Sequence, residues 1–173
     1  MSTPLTFRER AIENSQLIGL DDVVYYKTST TTSAFNRPKL TLVQSATDST
    51  VGRIDWRERT FTINGERRPW ALLKSSPKLF SAEREWRWYG QAYRLKYDWS
   101  NELTATPQFR GAGGETVRFS PFQPRILGSN TKAVIWFPPN MDATARMFLL
   151  MAVIHMDIRR QERRRRSAAG GLI

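Results

Sequence analysis

Between Asp142 and Arg166 the chain reads DATARMFLLMAVIHMDIRRQERRRR. Met147 through Ile154 are eight apolar residues in succession, and at about 100° per residue they cover every face of a helix. A helix that is apolar on all sides has to be enclosed, either in a protein core or in a bilayer. Arg146, His155 and Asp157 bracket the run, leaving less than the ~20 apolar residues of a membrane span. At a helix centre Arg146 or Asp157 would each cost about 2.5–3.5 kcal/mol in lipid. Six Arg, one Glu and one Gln then fill residues 159–166, so the enclosure is expected to end near Ile158. The expectation is a buried helix over about 142–160, with Met147, Phe148, Leu150, Met151 and Ile154 as core residues. Asn140 or Asp142 is placed to N-cap it, and acid at its start with Arg at its end suits the helix dipole.

What precedes this helix is patterned as β-structure. Val23 to Tyr26 is a short β-type run, and Thr28 to Ser33 reads as a loop or polar edge strand. Lys39 to Val43 alternates, with Leu40 and Leu42 on one face; Ile54 and Trp56 share a face, as do Phe61 and Ile63. Asn64-Gly65 favours a type I′ hairpin turn, and the return strand Arg67 to Leu73 carries Pro69, which suits an edge. The clearest hairpin is Glu83 to Trp99, turning near Tyr89-Gly90-Gln91. Trp86 and Trp88 align in its first arm, and Tyr93, Leu95, Tyr97 and Trp99 in its second, with Arg87, Arg94 and Lys96 opposite. Gly111 to Gly114 reads as a connection between strands near Glu102 to Phe109 and Thr116 to Phe119. Phe122 to Leu127 is ambiguous because of Pro121 and Pro124. Ala133 to Phe137 is an unbroken apolar run, expected to be a strand covered on both sides, and Pro138-Pro139 ends it.

Eight to twelve short strands followed by one apolar helix imply a mainly β fold: a roughly 12-stranded antiparallel closed barrel around the helix. The strand Val51 to Trp56, the hairpin Phe61 to Gly65, Trp86 to Trp88, Tyr93 to Leu95 and the late helix Phe148 to Ile154 resemble the tubby-like superfamily. That superfamily holds tubby C-terminal domains, LURP-one-related proteins and phospholipid scramblases, and the nearest likeness is to its small fungal members. The resemblance covers about residues 20–160 and implies a barrel enclosing a C-terminal helix, with phospholipid binding as its functional association. The chain departs from it in lacking the cysteines that scramblases acylate, and the basic positions with which tubby domains bind phosphoinositides are not matched. The expected organisation is a partly ordered segment over 1–19, the barrel over 20–160 and a basic flexible tail over 161–173.

Composition narrows the function. The chain of 173 residues carries a formal charge of +11, of which residues 159–166 supply +5, so a moderately basic body bears a basic tail. That balance favours an acidic partner. Without Cys, disulfides, thiol catalysis and Cys-based metal sites are excluded. A single His is poor material for a metal centre, and His155 is expected to be a satisfied or solvent-reaching residue at the barrel mouth. No nucleophile elbow is present, and Arg110 to Gly114 leads into a strand-like segment, not a helix that could bind phosphate. No enzyme, cofactor or metal is expected. The N-terminus lacks an apolar signal region, so the expectation is intracellular, in the cytoplasm or at a membrane surface, with a nuclear placement open.

The candidate anion-binding residues are Arg159, Arg160, Arg163, Arg164, Arg165 and Arg166, with Arg87, Arg94 and Lys96 on the hairpin. Basic residues near an acidic lipid surface contribute about 1 kcal/mol each. The hairpin cations lie on the face opposite its aromatics, so they form a solvated face more readily than a base-stacking platform. The first expectation is therefore a module that binds anionic phospholipid headgroups. A structural or protein-interaction module with an acidic protein partner is the alternative, and nucleic-acid binding through the Arg run is the third.

Overall fold

The computed structural model describes residues 2–76, 83–108, 116–124 and 129–170. Thirteen strands among these form one antiparallel sheet: β1 (Thr3–Phe7), β2 (Gln16–Ile18), β3 (Val24–Thr32), β4 (Pro38–Ser45), β5 (Val51–Asp55), β6 (Thr60–Ile63), β7 (Glu66–Pro69), β8 (Lys74–Ser75), β9 (Arg84–Trp88), β10 (Gln91–Tyr97), β11 (Leu103–Pro107), β12 (Val117–Ser120) and β13 (Val134–Phe137). One helical turn, α1 (Trp70–Leu73), links β7 to β8, and the long helix α2 (Ala143–Gly170) follows β13. The spatial order is β7-β6-β5-β4-β3-β2-β1-β13-β12-β11-β10-β9-β8. The chain thus runs outward from β1 to one edge, crosses by α1 to the other edge, and returns to the middle. There β13 pairs with β1, Leu5 opposite Ile135.

The mainly β, antiparallel architecture around the helix stands, while the closed 12-stranded barrel is not confirmed: among the described residues hydrogen bonds do not close this sheet. The edges explain why. β7 ends at Pro69, which has no N–H to donate, and β8 is two residues long. Side chains bridge the edges instead. Phe61 of β6 stacks on Trp86 of β9 with centroids 5.3 Å apart. The Arg68 guanidinium of β7 lies over Trp88 and, at 4.0 Å, over Tyr89. Tyr89 Oη donates a hydrogen bond to Glu66 Oε2.

The apolar part of α2 is the core that the sheet wraps. Every residue from Met147 to Ile158 is buried, the five expected core residues among them. Asp142 Oδ1 accepts the Ala145 N–H at 2.8 Å, the capping role open to it from the sequence. Gly52 on β5 allows the closest approach, because a Cβ there would lie 2.5 Å from Met151 Sδ and 2.6 Å from Met147 Sδ. The hairpins fall where turn chemistry put them. Asn64 and Gly65 both have positive φ (49° and 87°), as a type I′ turn requires, and Tyr89-Gly90 joins β9 to β10.

Several expectations change. The first nineteen residues supply β1 and β2, and β1 is a central strand between β2 and β13. The Ser/Thr-rich stretch is the second half of β3: Thr28 to Thr32 pair with β4, while β2 reaches only Val24 to Lys27. Of the two expected readings the polar edge strand holds, with the Thr28 N–H bonding the Ser15 carbonyl and the Thr30 N–H the Asn14 side chain on the open side. Its buried Thr28 is accommodated because its hydroxyl bonds the Ile12 carbonyl oxygen at 2.7 Å. In β4 the inward face holds Thr41 and Val43, leaving Leu40 and Leu42 outside and half-buried. Thr41 is turned inward to accept a hydrogen bond from Trp56 Nε1. Trp136 of β13 faces outward beneath Arg118, so that strand is covered on one side. Trp99 lies beyond β10 and is 96% exposed. The helix continues through the Arg run to Gly170, where a flexible tail was expected. Of Phe122 to Leu127, Gln123 bridges Thr131; its remainder from 125 onward and the Gly111 to Gly114 connection lie outside the described residues.

Candidate functional site

Where α2 emerges from the sheet, a pocket of about 870 Å³ opens between the helix, α1 and the sheet edges. Its wall is apolar and aromatic, from Pro69, Trp70, Ala71, Trp86 and Met156. Its cationic lining is five residues from four elements: Arg59 from the turn after β5, Lys74 from the start of β8, Arg84 from β9, and Arg159 and Arg163 from successive turns of α2. Glu58 is the one acid in that lining, and it is drawn toward Arg67 at 3.9 Å. A cationic rim over an aromatic wall suits a ligand with a negative group and an apolar body.

His155 forms the inner end of this pocket inside a cage of aromatic rings. It lies parallel to Trp56 at 5.4 Å between centroids, and edge-on to Trp70 at 4.4 Å and Trp86 at 5.1 Å. It is 3% exposed, and neither ring nitrogen has a hydrogen-bond partner among the described residues. This corrects the expectation of a satisfied or solvent-reaching histidine. Burial, reinforced by Lys74, Arg159 and Arg163, holds its pKa well below the ordinary value, so the imidazole is neutral at pH 7. Lys74 Nζ lies 4.9 Å from the Trp70 ring centroid and 5.7 Å from that of Trp86. Desolvation first, then repulsion from Arg159, Arg84 and Arg59, brings its pKa down to about 8.

The Arg run is divided by helical periodicity. Arg159 and Arg163, four residues apart, line the pocket; Arg159 also holds Glu162 at 2.9 Å and lies over Trp56 and Trp70. Arg160 and Arg164 turn to the loop between β10 and β11, where Asn101 Oδ1 accepts from Arg164 Nη2 at 2.6 Å and Arg160 Nη1 at 3.4 Å. Arg160 also meets the buried Asp157 at 2.8 Å and covers the Tyr97 ring at 4.6 Å. Burial and the Asp157 carboxylate push the Tyr97 phenol up, keeping it protonated. Arg165 and Arg166 are exposed.

The hairpin cations do not join this site. Arg87 pairs with Glu85 at 2.8 Å and Lys96 with Glu83 at 3.3 Å, on the outward face of β9 and β10. Arg94 stands opposite Glu85 on that face. Arg59, Lys74 and Arg84 belong to the pocket, although sequence reasoning did not single them out. They are separated by 75–100 residues from Arg159, and no periodic pattern links them. Only Lys74, directly after the apolar Trp70 to Leu73, carried a local sign of being held against aromatic surface.

Among the described residues no cluster of three or more His, Cys, Asp or Glu is placed to hold a metal. Among the described residues no helix is long and apolar enough to cross a membrane. Comparison with protein-family models, curated protein sequences and solved structures finds no match to this chain.

Proposed function

We propose that this protein is a non-enzymatic module that docks on anionic membrane surfaces through the end of the molecule where α2 emerges. The carrying observation is the pairing of an exposed Trp99 with the Arg run. The turn that bears Trp99 is tied to α2 through Asn101, which accepts from both Arg160 and Arg164. Tryptophan favours the headgroup–acyl boundary, and each basic residue near acidic lipid contributes about 1 kcal/mol. Leu72 of α1, 72% exposed beside the pocket-lining Trp70 and Ala71, adds a second apolar contact. The arrangement of a sheet around a C-terminal helix is compatible with the tubby-like resemblance, and membership of that superfamily is part of this proposal. The hairpin cations Arg87 and Lys96, already paired with glutamates, contribute little to it.

Co-sedimentation with neutral, phosphatidylserine-containing and phosphoinositide-containing vesicles tests the reading. Binding to acidic vesicles at low salt is expected, weakening steeply as salt rises. Replacing Arg163, Arg165 and Arg166 together by Gln should weaken it by about 100-fold, from about 1 kcal/mol per charge. Trp99→Ala should weaken it without altering the salt dependence. Absence of binding to every acidic vesicle at low salt sinks the proposal, and retention of duplex DNA under those conditions would move the function to nucleic acid.

A further inference from the structure

Lys74 opens β8 immediately after α1, with its ammonium group on the pocket wall against Trp70 and Trp86. Among the described residues no carboxylate lies within ion-pair distance of it. Glu58 shares the pocket but leans toward Arg67. The charged groups that line the pocket with it are all cations apart from that glutamate: Arg59 from the β5–β6 turn, Arg84 from β9, and Arg159 and Arg163 from α2. His155 is neutral there. A half-buried amine surrounded by like charge favours its free base, and its pKa is accordingly about 8. A free primary amine in such a pocket is a nucleophile toward carbonyl carbon, and guanidinium groups beside it recognise carboxylate or phosphate.

We propose that Lys74 is a carbonyl-capturing amine, forming a reversible imine with an aldehyde or ketone whose anionic group is held by Arg59, Arg159 and Arg163. The nitrogen lone pair adds to the carbonyl carbon, and the carbon–oxygen π pair moves to oxygen. The resulting carbinolamine loses that oxygen as water, with both protons of the water balanced by the two lost from the amine nitrogen. A C=N bond replaces the C=O bond, no electrons change hands, and hydrolysis reverses the step. The apolar wall of Pro69, Ala71 and Met156 accepts the apolar body of the ligand, and about 870 Å³ is ample for a small one. This inference uses the positive charge of the pocket and is independent of membrane docking.

Pyridoxal 5′-phosphate, an aldehyde bearing a phosphate, serves as the probe on the full chain at pH 7.4, with borohydride reduction and peptide mapping by mass spectrometry. Lys74 should be modified at least about tenfold faster than Lys27, Lys39, Lys96 and Lys132, since a lowered pKa raises the free-base fraction. Pyridoxal without the phosphate should react more slowly, and inorganic pyrophosphate should protect Lys74 and quench tryptophan fluorescence. Lys74→Arg, shown folded by circular dichroism, should lose the imine absorbance. If that variant does not fold, the wild-type selectivity and protection decide alone. Uniform labelling of the lysines, or labelling confined to the terminal amine, overturns the reactive lysine. Should pyrophosphate still quench fluorescence in that case, the anion pocket stands without it; should it not, the anion pocket falls as well.

Discussion

His155 is the sole histidine of the chain, and folding encloses it among Trp56, Trp70 and Trp86 with no partner for either nitrogen among the described residues. In the unfolded chain its imidazole takes up a proton near pH 6.5; in the folded protein it does so only at much lower pH. Between those values the unfolded state holds more protons, so stability falls as pH drops below 6.5. The slope approaches about 1.4 kcal/mol per pH unit for one proton. Asp48, Asp98 and Glu66, whose carboxyls hydrogen bonds hold below their ordinary values, add their losses at lower pH. Urea denaturation at pH 7.5 and pH 5.5 should therefore show a marked loss for the wild type and a much smaller one for His155→Phe. Equal losses in the two proteins would place the acid sensitivity elsewhere. The apolar run that holds His155 was legible as a helix without its neighbours. That the imidazole is caged was not, because the cage comes from the turn after β5, from α1 and from β9.

At the scale of elements, the length of buried α2 was readable from composition, since the first Arg of the run follows the last fully enclosed turn. Its fit against the sheet was not, because it depends on Gly52 meeting Met147 and Met151. Any side chain at 52 must displace those thioethers, and Val adds two stiff methyl groups where no void exists. Gly52→Val should cost about 1–3 kcal/mol of overpacking, visible as a lower thermal midpoint. Gly52→Ala should cost less, and adding Met151→Ala should cost less than the sum of the two single changes. Strict additivity would mean that the helix and β5 do not touch as described. β3 and β4 show why alternation alone misassigned an inward face. Thr41 and Thr28 are buried because hydrogen bonds satisfy them, so leucine and threonine exchange their usual sides.

The whole molecule is a strip of antiparallel hairpins curled around one helix, with its two edges joined covalently by α1 and laterally by side chains. Strand pairing protects β1 and β13 on both sides, whereas among the described residues β7 and β8 are each paired on one side only. Arg68→Ala, which removes the cation shared by Trp88 and Tyr89 and the partner of Glu66, should open that join locally. Hydrogen exchange should quicken in β7 and β8 while the β1–β13 pair keeps its protection. Faster exchange throughout would instead mark the join as part of the global unfolding unit. Sequence alone determined that an all-apolar helix had to be enclosed, that strands would enclose it, and that an Arg run had to lie outside. Hydrophobic burial and turn chemistry act locally along the chain, and so leave a periodic trace. Tertiary structure decided the open join, the inward threonines, the central place of β1, and the gathering of Arg59, Lys74, Arg84, Arg159 and Arg163 around one pocket. Those features depend on which distant strands become neighbours. The buried run of α2 anchors the fold as its composition required, while its emerging Arg run is divided between a pocket and a tryptophan-bearing turn because successive residues of a helix face different ways.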